Sequence, residues 1–133
     1  MSAGTPRRCA PVGLRIYSPP AAESVIVFVH GGGWMMGSVE THDHICRWLA
    51  VATNSRVISV DYALAPEHPF PFAVLQVANA LKAVLAQRSL NGSLPVFVAG
   101  DSAGATIASL ALLRLDLASR RGIALRTPRF REA

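Results

Sequence analysis

The sequence predicts an α/β fold, a mostly parallel sheet with helices on both faces. Three observations lead there. Val25-Ile26-Val27-Phe28-Val29 and Val57-Ile58-Ser59-Val60 are β-branched and aromatic runs without polar alternation, the pattern of strands buried on both faces. Between and after them lie segments whose apolar residues recur at helical spacing. Strand and helix then alternate in short units, with no internal repeat and no low-complexity stretch, which implies right-handed crossovers within one domain.

Taken in order, residues 1–11 read as unstructured. Gly13 to Tyr17 reads as a short strand closed by Pro19-Pro20, and Ser24 to His30 as the first buried strand. A glycine-rich loop fills 31–37. Thr41 to Ala52 reads as a helix with Ile45, Trp48, Leu49 and Ala52 on one face. Arg56 to Asp61 is the second buried strand, and Tyr62 to Pro71 a proline-punctuated loop. Phe72 to Arg88 carries Val74, Val77, Ala78, Leu81, Val84 and Leu85 at helical period, the clearest amphipathic helix in the chain. Asn91-Gly92 marks a turn. Val96-Phe97-Val98-Ala99 reads as a strand, and Ala105 to Leu113 as a helix. The predicted domain is 1–133, with a core over about 12–118 and an arginine-rich tail over 119–133.

Composition narrows the function classes. At 133 residues, 51% hydrophobic and 16% charged, the chain can bury a core. Its net charge of +5 is unevenly placed: residues 1–113 hold seven basic and six acidic side chains, residues 114–133 six arginines against Asp116 and Glu132. The charge belongs to a solvated tail, so no nucleic-acid partner is expected. Cys9 and Cys46 have no metal-ligand spacing and are too few for a disulfide framework, so both read as free thiols. With no secretory signal and no stretch of about 18 apolar residues, neither export nor a membrane span is expected, and the expected location is the cytoplasm.

The chemistry is concentrated at Gly100-Asp101-Ser102-Ala103-Gly104. Strand, then Gly-x-Ser-x-Gly, then helix is the context of a nucleophile elbow, with the serine at the apex of a strained bend. Side chains at Gly100 and Gly104 would collide across so sharp a turn. The helix that follows would aim its N-terminal dipole and free N–H groups at charge developing on a reacting oxygen. A second feature is His30-Gly31-Gly32-Gly33-Trp34, which leaves the C-terminal end of a buried strand, where open α/β sheets place ligands. Consecutive glycines let backbone N–H groups face a cavity unobstructed. A dinucleotide fingerprint starting at Gly31 fails at Met36. A Walker-type loop from Gly32 to Gly37 fails at Ser38, which stands where lysine is needed.

With Asp61-Tyr62-Ala63-Leu64-Ala65-Pro66-Glu67 added to these two motifs, the chain resembles the hormone-sensitive-lipase-like branch of the α/β-hydrolases over roughly residues 12–118. The resemblance implies a partial α/β-hydrolase fold, its later strands missing, in which the strand before the glycine loop lies beside the strand before the elbow. It also implies serine-dependent hydrolysis of carboxylic esters, usually with small or medium acyl groups; no cofactor or metal is expected. Ser102 would be the nucleophile, and the N–H groups of Gly31, Gly32 and Ala103 would hold the oxyanion. His30 would brace the loop. Asp101 would point away from Ser102 and hydrogen-bond structurally, while Asp61, Tyr62 and Glu67 would fix the proline loop. His42, Asp43 and His44 resemble a metal cluster in composition, but positions 42 and 44 cannot face one point on a helix. Trp34, Met35 and Met36 either line an acyl pocket or simply pack.

The chain departs from that branch in one respect that bears on chemistry. After Ser102 it has Asp116 and no histidine, whereas the triad order is serine, acid, histidine. Ala63 stands where the branch often has arginine, and Ala105 where it often has a third glycine. The run Gly122-Ile123-Ala124-Leu125 is short for a central strand, so the chain reads as the front part of a longer hydrolase cut or frame-shifted near residue 120. Two alternatives to an ester hydrolase follow: a non-catalytic small-molecule-binding homologue, as in plant hormone receptors resembling this family, or an inert fragment. If the branch's strand order holds, the strand before the elbow is expected to form an exposed sheet edge open to self-association, whichever of these functions the chain has.

Overall fold

The structure is a computed structural model that describes residues 12–120 and 131–132. Its strands are β1 (Gly13–Tyr17), β2 (Ser24–Val29), β3 (Ser55–Asp61), β4 (Val96–Gly100) and the two-residue β5 (Arg131–Glu132). The helices are α1 (Asp43–Thr53), α2 (Phe72–Ala86), the single turn α3 (Arg88–Asn91) and α4 (Ala103–Arg120). The strands form one sheet in the order β4-β2-β3-β1-β5. β2 lies parallel to both β3 and β4, with Val29 opposite Gly100, and β1 runs antiparallel to β3. The predicted architecture is present, and so is the predicted adjacency of β2 and β4.

The alternating side chains of β2 divide the core. Val25, Val27 and Val29 face α2 and α4 with Leu14, Ile58 and Val60, and meet Val77, Leu81, Val84, Ile107 and Ala111. Ile26 and Phe28 face the other way with Val57, and α1 covers them with Cys46 and Ala50. Both faces of β2 and β3 are therefore dry, which is why neither strand shows polar alternation. Each fully buried aliphatic side chain of the size of Ile58, Leu81 or Ile107 contributes about 1.5–3 kcal/mol by leaving water.

Three sequence expectations are corrected. The buried face of α1 is Cys46 and Ala50, flanked by partly buried Ile45 and Leu49; Trp48 is 69% exposed and Ala52 exposed. The helical wheel was rotated by about one residue because small Cys46 and Ala50, not the indole, fit against Phe28. The long amphipathic helix stops at Ala86, where Gln87 turns extended (φ −108°, ψ 113°), and a separate turn, α3, ends in left-handed Gly92. The helix after the elbow begins two residues earlier than expected and runs on to Arg120, taking in Asp116.

β4 has the composition of a buried strand yet sits at the sheet edge. Val96 and Val98 are partly covered, whereas Phe97 is 58% exposed. At the far edge, Arg131–Glu132 pairs parallel with Gly13-Leu14, a contact the sequence did not announce. The expectations for residues 1–11, including Cys9, and for 122–125 lie outside the described residues. Among the described residues, no helix is long and apolar enough to cross a membrane.

Candidate active site

Ser102 is the residue between β4 and α4. Its φ of 49° lies in the left-handed region that non-glycine residues seldom enter. The bend is closed by Gly104 N–H donating to the Asp101 carbonyl (2.9 Å) and Ala105 N–H to that of Ser102 (3.0 Å). A Cβ on Gly100 would meet the Gly104 carbonyl carbon at 2.8 Å, so the collision across the turn is present there. At Gly104 the obstacle differs from the one expected: a Cβ would sit 2.0 Å from the carbonyl oxygen of Val29, in β2. Gly104 thus seats the start of α4 against the neighbouring strand. Ser102 is exposed, and its hydroxyl has no hydrogen-bond partner among the described residues.

The glycine loop lies directly against this bend. Gly31 N–H donates to Asp101 Oδ1 at 2.9 Å, across 70 residues of sequence, and a Cβ on Gly31 would lie 2.6 Å from the Asp101 carbonyl oxygen. The Gly31 amide is therefore occupied. The expectation that it stands free to receive an oxyanion is corrected, because the Asp101 carboxylate already takes its hydrogen. The amides of Gly32, Gly33 and Ala103 have no acceptor among the described residues. Ala103 is the first residue of α4, where N–H groups are unsatisfied by the helix itself. Gly33 (φ +61°) has nothing within 4 Å of its would-be Cβ.

Asp101 does act structurally, with a partner that sequence reasoning missed. Its Oδ2 lies 3.4 Å from His42 Nε2, just ahead of α1, and His42 Nδ1 lies 2.9 Å from the Thr41 hydroxyl. The carboxylate joins the elbow, the glycine loop and the entry to α1. Nothing in a lone histidine before a helix signals that role. Asp43 belongs elsewhere: it accepts from the Tyr17 hydroxyl (2.6 Å) and Arg47 (2.7 Å), bonds that hold its carboxyl below the usual carboxylate range.

His30 lies under the loop and is fully buried. Its Nδ1 is 2.9 Å from the Gly31 carbonyl oxygen; a carbonyl only accepts, so Nδ1 carries a hydrogen, and Nε2 has no partner among the described residues. Burial pushes the His30 pKa down. The ring stacks on Tyr62 at 4.3 Å, and the Tyr62 hydroxyl donates to the His30 carbonyl at 2.5 Å. Gly37 (φ +88°) fits only without a side chain, since a Cβ would meet the Gly31 carbonyl oxygen at 2.4 Å. The proline loop is tied in by Ala65 N–H to the Trp34 carbonyl (2.9 Å) and by Ala63 N–H to the Gln76 side-chain oxygen (2.6 Å). Met35 and Met36 are exposed, while Trp34 packs against the core.

A buried parallel sheet that ends in a left-handed serine beside a glycine loop defines a class of protein. The sequence pattern of the alpha/beta hydrolase fold matches residues 26–130, and the chain belongs to that family. It is 46% identical over 107 residues to the esterase LipI of Mycobacterium tuberculosis, across 75% of this chain and 33% of that protein. It is 42% identical over 102 residues to the carboxylesterase NlhH of the same organism, across 73% and 32%. Among solved structures, a hyperthermophilic esterase from Pyrobaculum calidifontis superposes with a TM-score of 0.70 at 43% identity, across 80% of this chain and 34% of that one. The chain spans about a third of the length of the curated relatives it matches.

Proposed function

We propose that the chain carries the nucleophile and oxyanion-holding half of a serine-dependent carboxylic ester hydrolase. The observation that carries this reading is Ser102 at φ 49° on a bend bolted to the glycine loop through Gly31 and Asp101. Ser102 Oγ attacks the ester carbonyl carbon as its proton passes to a base, the carbonyl π bond opens, and the negative charge moves to the former carbonyl oxygen. Gly32 and Ala103 N–H groups receive it, with Gly33 as the third donor in place of Gly31, and the α4 dipole adds to their effect. Losing one such donor costs on the order of 10²–10³ in rate.

The proton leaving Ser102 needs an acceptor, and all four histidines of this chain precede it in sequence. Loss of the histidine from a catalytic triad lowers turnover by roughly 10⁶, so these 133 residues alone turn over slowly. A fluorophosphonate probe tests the reading, because it needs an activated hydroxyl and not a full triad cycle. Slow labelling of the parent, abolished in Ser102→Ala, is expected; labelling that survives this substitution, or none in the parent, counts against it.

The second reading, a binding protein on the same scaffold, is favoured by the free Ser102 hydroxyl. It predicts ligand-induced stabilisation with no labelling, and an inert fragment shows neither. A cytoplasmic location accords with both readings. The exposed apolar edge of β4 supports self-association, with pairing of copies through that strand.

A further inference from the structure

A cavity of about 150 Å³ lies between the glycine loop, the proline loop and the start of α2, apart from Ser102. Its room comes from Ala63 and Ala73, which line it with nothing larger than a methyl, and three rings surround it: Trp34, His68 and Phe70. Among the described residues, no carboxylate, lysine or arginine lines it. An enclosed apolar cavity of about this size accepts a benzene ring, and this one, open to solvent on one side, has room for the same group. A second observation points the same way. Trp34 holds φ at 71°, a conformation that bulky residues rarely adopt and that clusters where ligands are clamped. The Trp34 carbonyl is fixed by Ala65 N–H, so the strained residue is both a wall of the cavity and a part of the glycine loop.

We propose that this cavity is a binding site for a compact, uncharged hydrocarbon group of about six carbons, aromatic or branched. The group enters between the exposed His68 and Phe70 rings and packs against Trp34. A charged or strongly hydrated group is disfavoured, because among the described residues His68 is the one polar side chain in the lining that could replace its water. Affinity for so small a group is on the order of millimolar. The group could be the apolar side of an ester or a free hydrocarbon molecule; the chemistry of the site is the same for both.

The sequence holds two tryptophans, Trp34 and the exposed Trp48, so Trp48→Phe leaves Trp34 as the sole indole. Titrating benzene into that variant is expected to change the Trp34 fluorescence saturably. Ala73→Leu or Ala63→Leu in the same background fills the space and is expected to weaken binding at least about tenfold. Ser102→Ala is expected to leave binding unchanged, so failure of Ser102 to react with a fluorophosphonate does not touch this result. In the Ser102→Ala background, phenyl acetate that displaces benzene competitively assigns the group to the ester. Simultaneous binding of both assigns it to a separate molecule. No saturation in the Trp48→Phe chain, or undiminished affinity in either filled variant, overturns the proposal.

Discussion

A methyl group at Gly104 would lie 2.0 Å from the Val29 carbonyl oxygen, one at Gly100 2.8 Å from Gly104, and one at Gly33 within 4 Å of nothing. These contacts rank three substitutions. Gly104→Ala pushes a helix off a strand and is expected to cost more than about 4 kcal/mol, the range of exceptional single mutations. Gly100→Ala has only the turn to open and should cost less. Gly33→Ala meets no neighbour and is left with its positive φ, a strain of roughly 1–2 kcal/mol. Urea melts of the three variants check the order. His30 gives a pH dependence of known sign. Its folded pKa lies below the ordinary 6.5, so under about pH 6.5 the unfolded chain binds a proton that the folded chain refuses. Stability is whole above that pH and falls as pH drops toward the folded value, by at most about 1.4 kcal/mol per unit. Melts of the parent should show this slope and His30→Asn should lose it. At this scale the motif was enough to place Ser102 on a strained bend between strand and helix, as its φ of 49° shows. The engaged Gly31 amide was illegible, because an amide's availability depends on which carboxylate the fold brings to it, and Asp101 arrives from 70 residues away.

Among the elements, β2 and β3 were legible because both faces are covered and their composition says so. β4 reads the same in sequence and is half-open in space, for composition records what a strand is suited to and not what lies beside it. Its edge has no lysine, no internal proline and no bulge to discourage a new partner. Phe97→Lys places a charge on the exposed position of that edge and is expected to shift the chain toward monomer in sedimentation at micromolar concentration. A parent that is already monomeric under those conditions removes the premise. The register of α1 departs from its sequence pattern for a different reason. Trp48 is the largest apolar residue of its segment, yet the residues of α1 buried with Phe28 are the small Cys46 and Ala50.

At the scale of the whole molecule, the alternation of strand and helix was enough for the class of fold, and the three motifs for the family. The order β4-β2-β3-β1-β5 was legible only in part. The neighbours β2 and β4 followed from resemblance, since two distant motifs must meet to serve one reaction. The antiparallel β1 and the short β5 left no such trace, because neither carries chemistry and β1 is too short for its pattern to fix a partner.

Gly104 rests against β2, and the Gly31 amide rests against the residue before Ser102. The bend at the serine is consequently not a local property of five residues. Excised as a peptide, Gly100–Gly104 would have no neighbouring ribbon to hold the strained torsion and would relax. The strained serine comes into being only when a strand from early in the chain has been zipped against one from late in it, so any chemistry proposed for it presupposes completed long-range assembly.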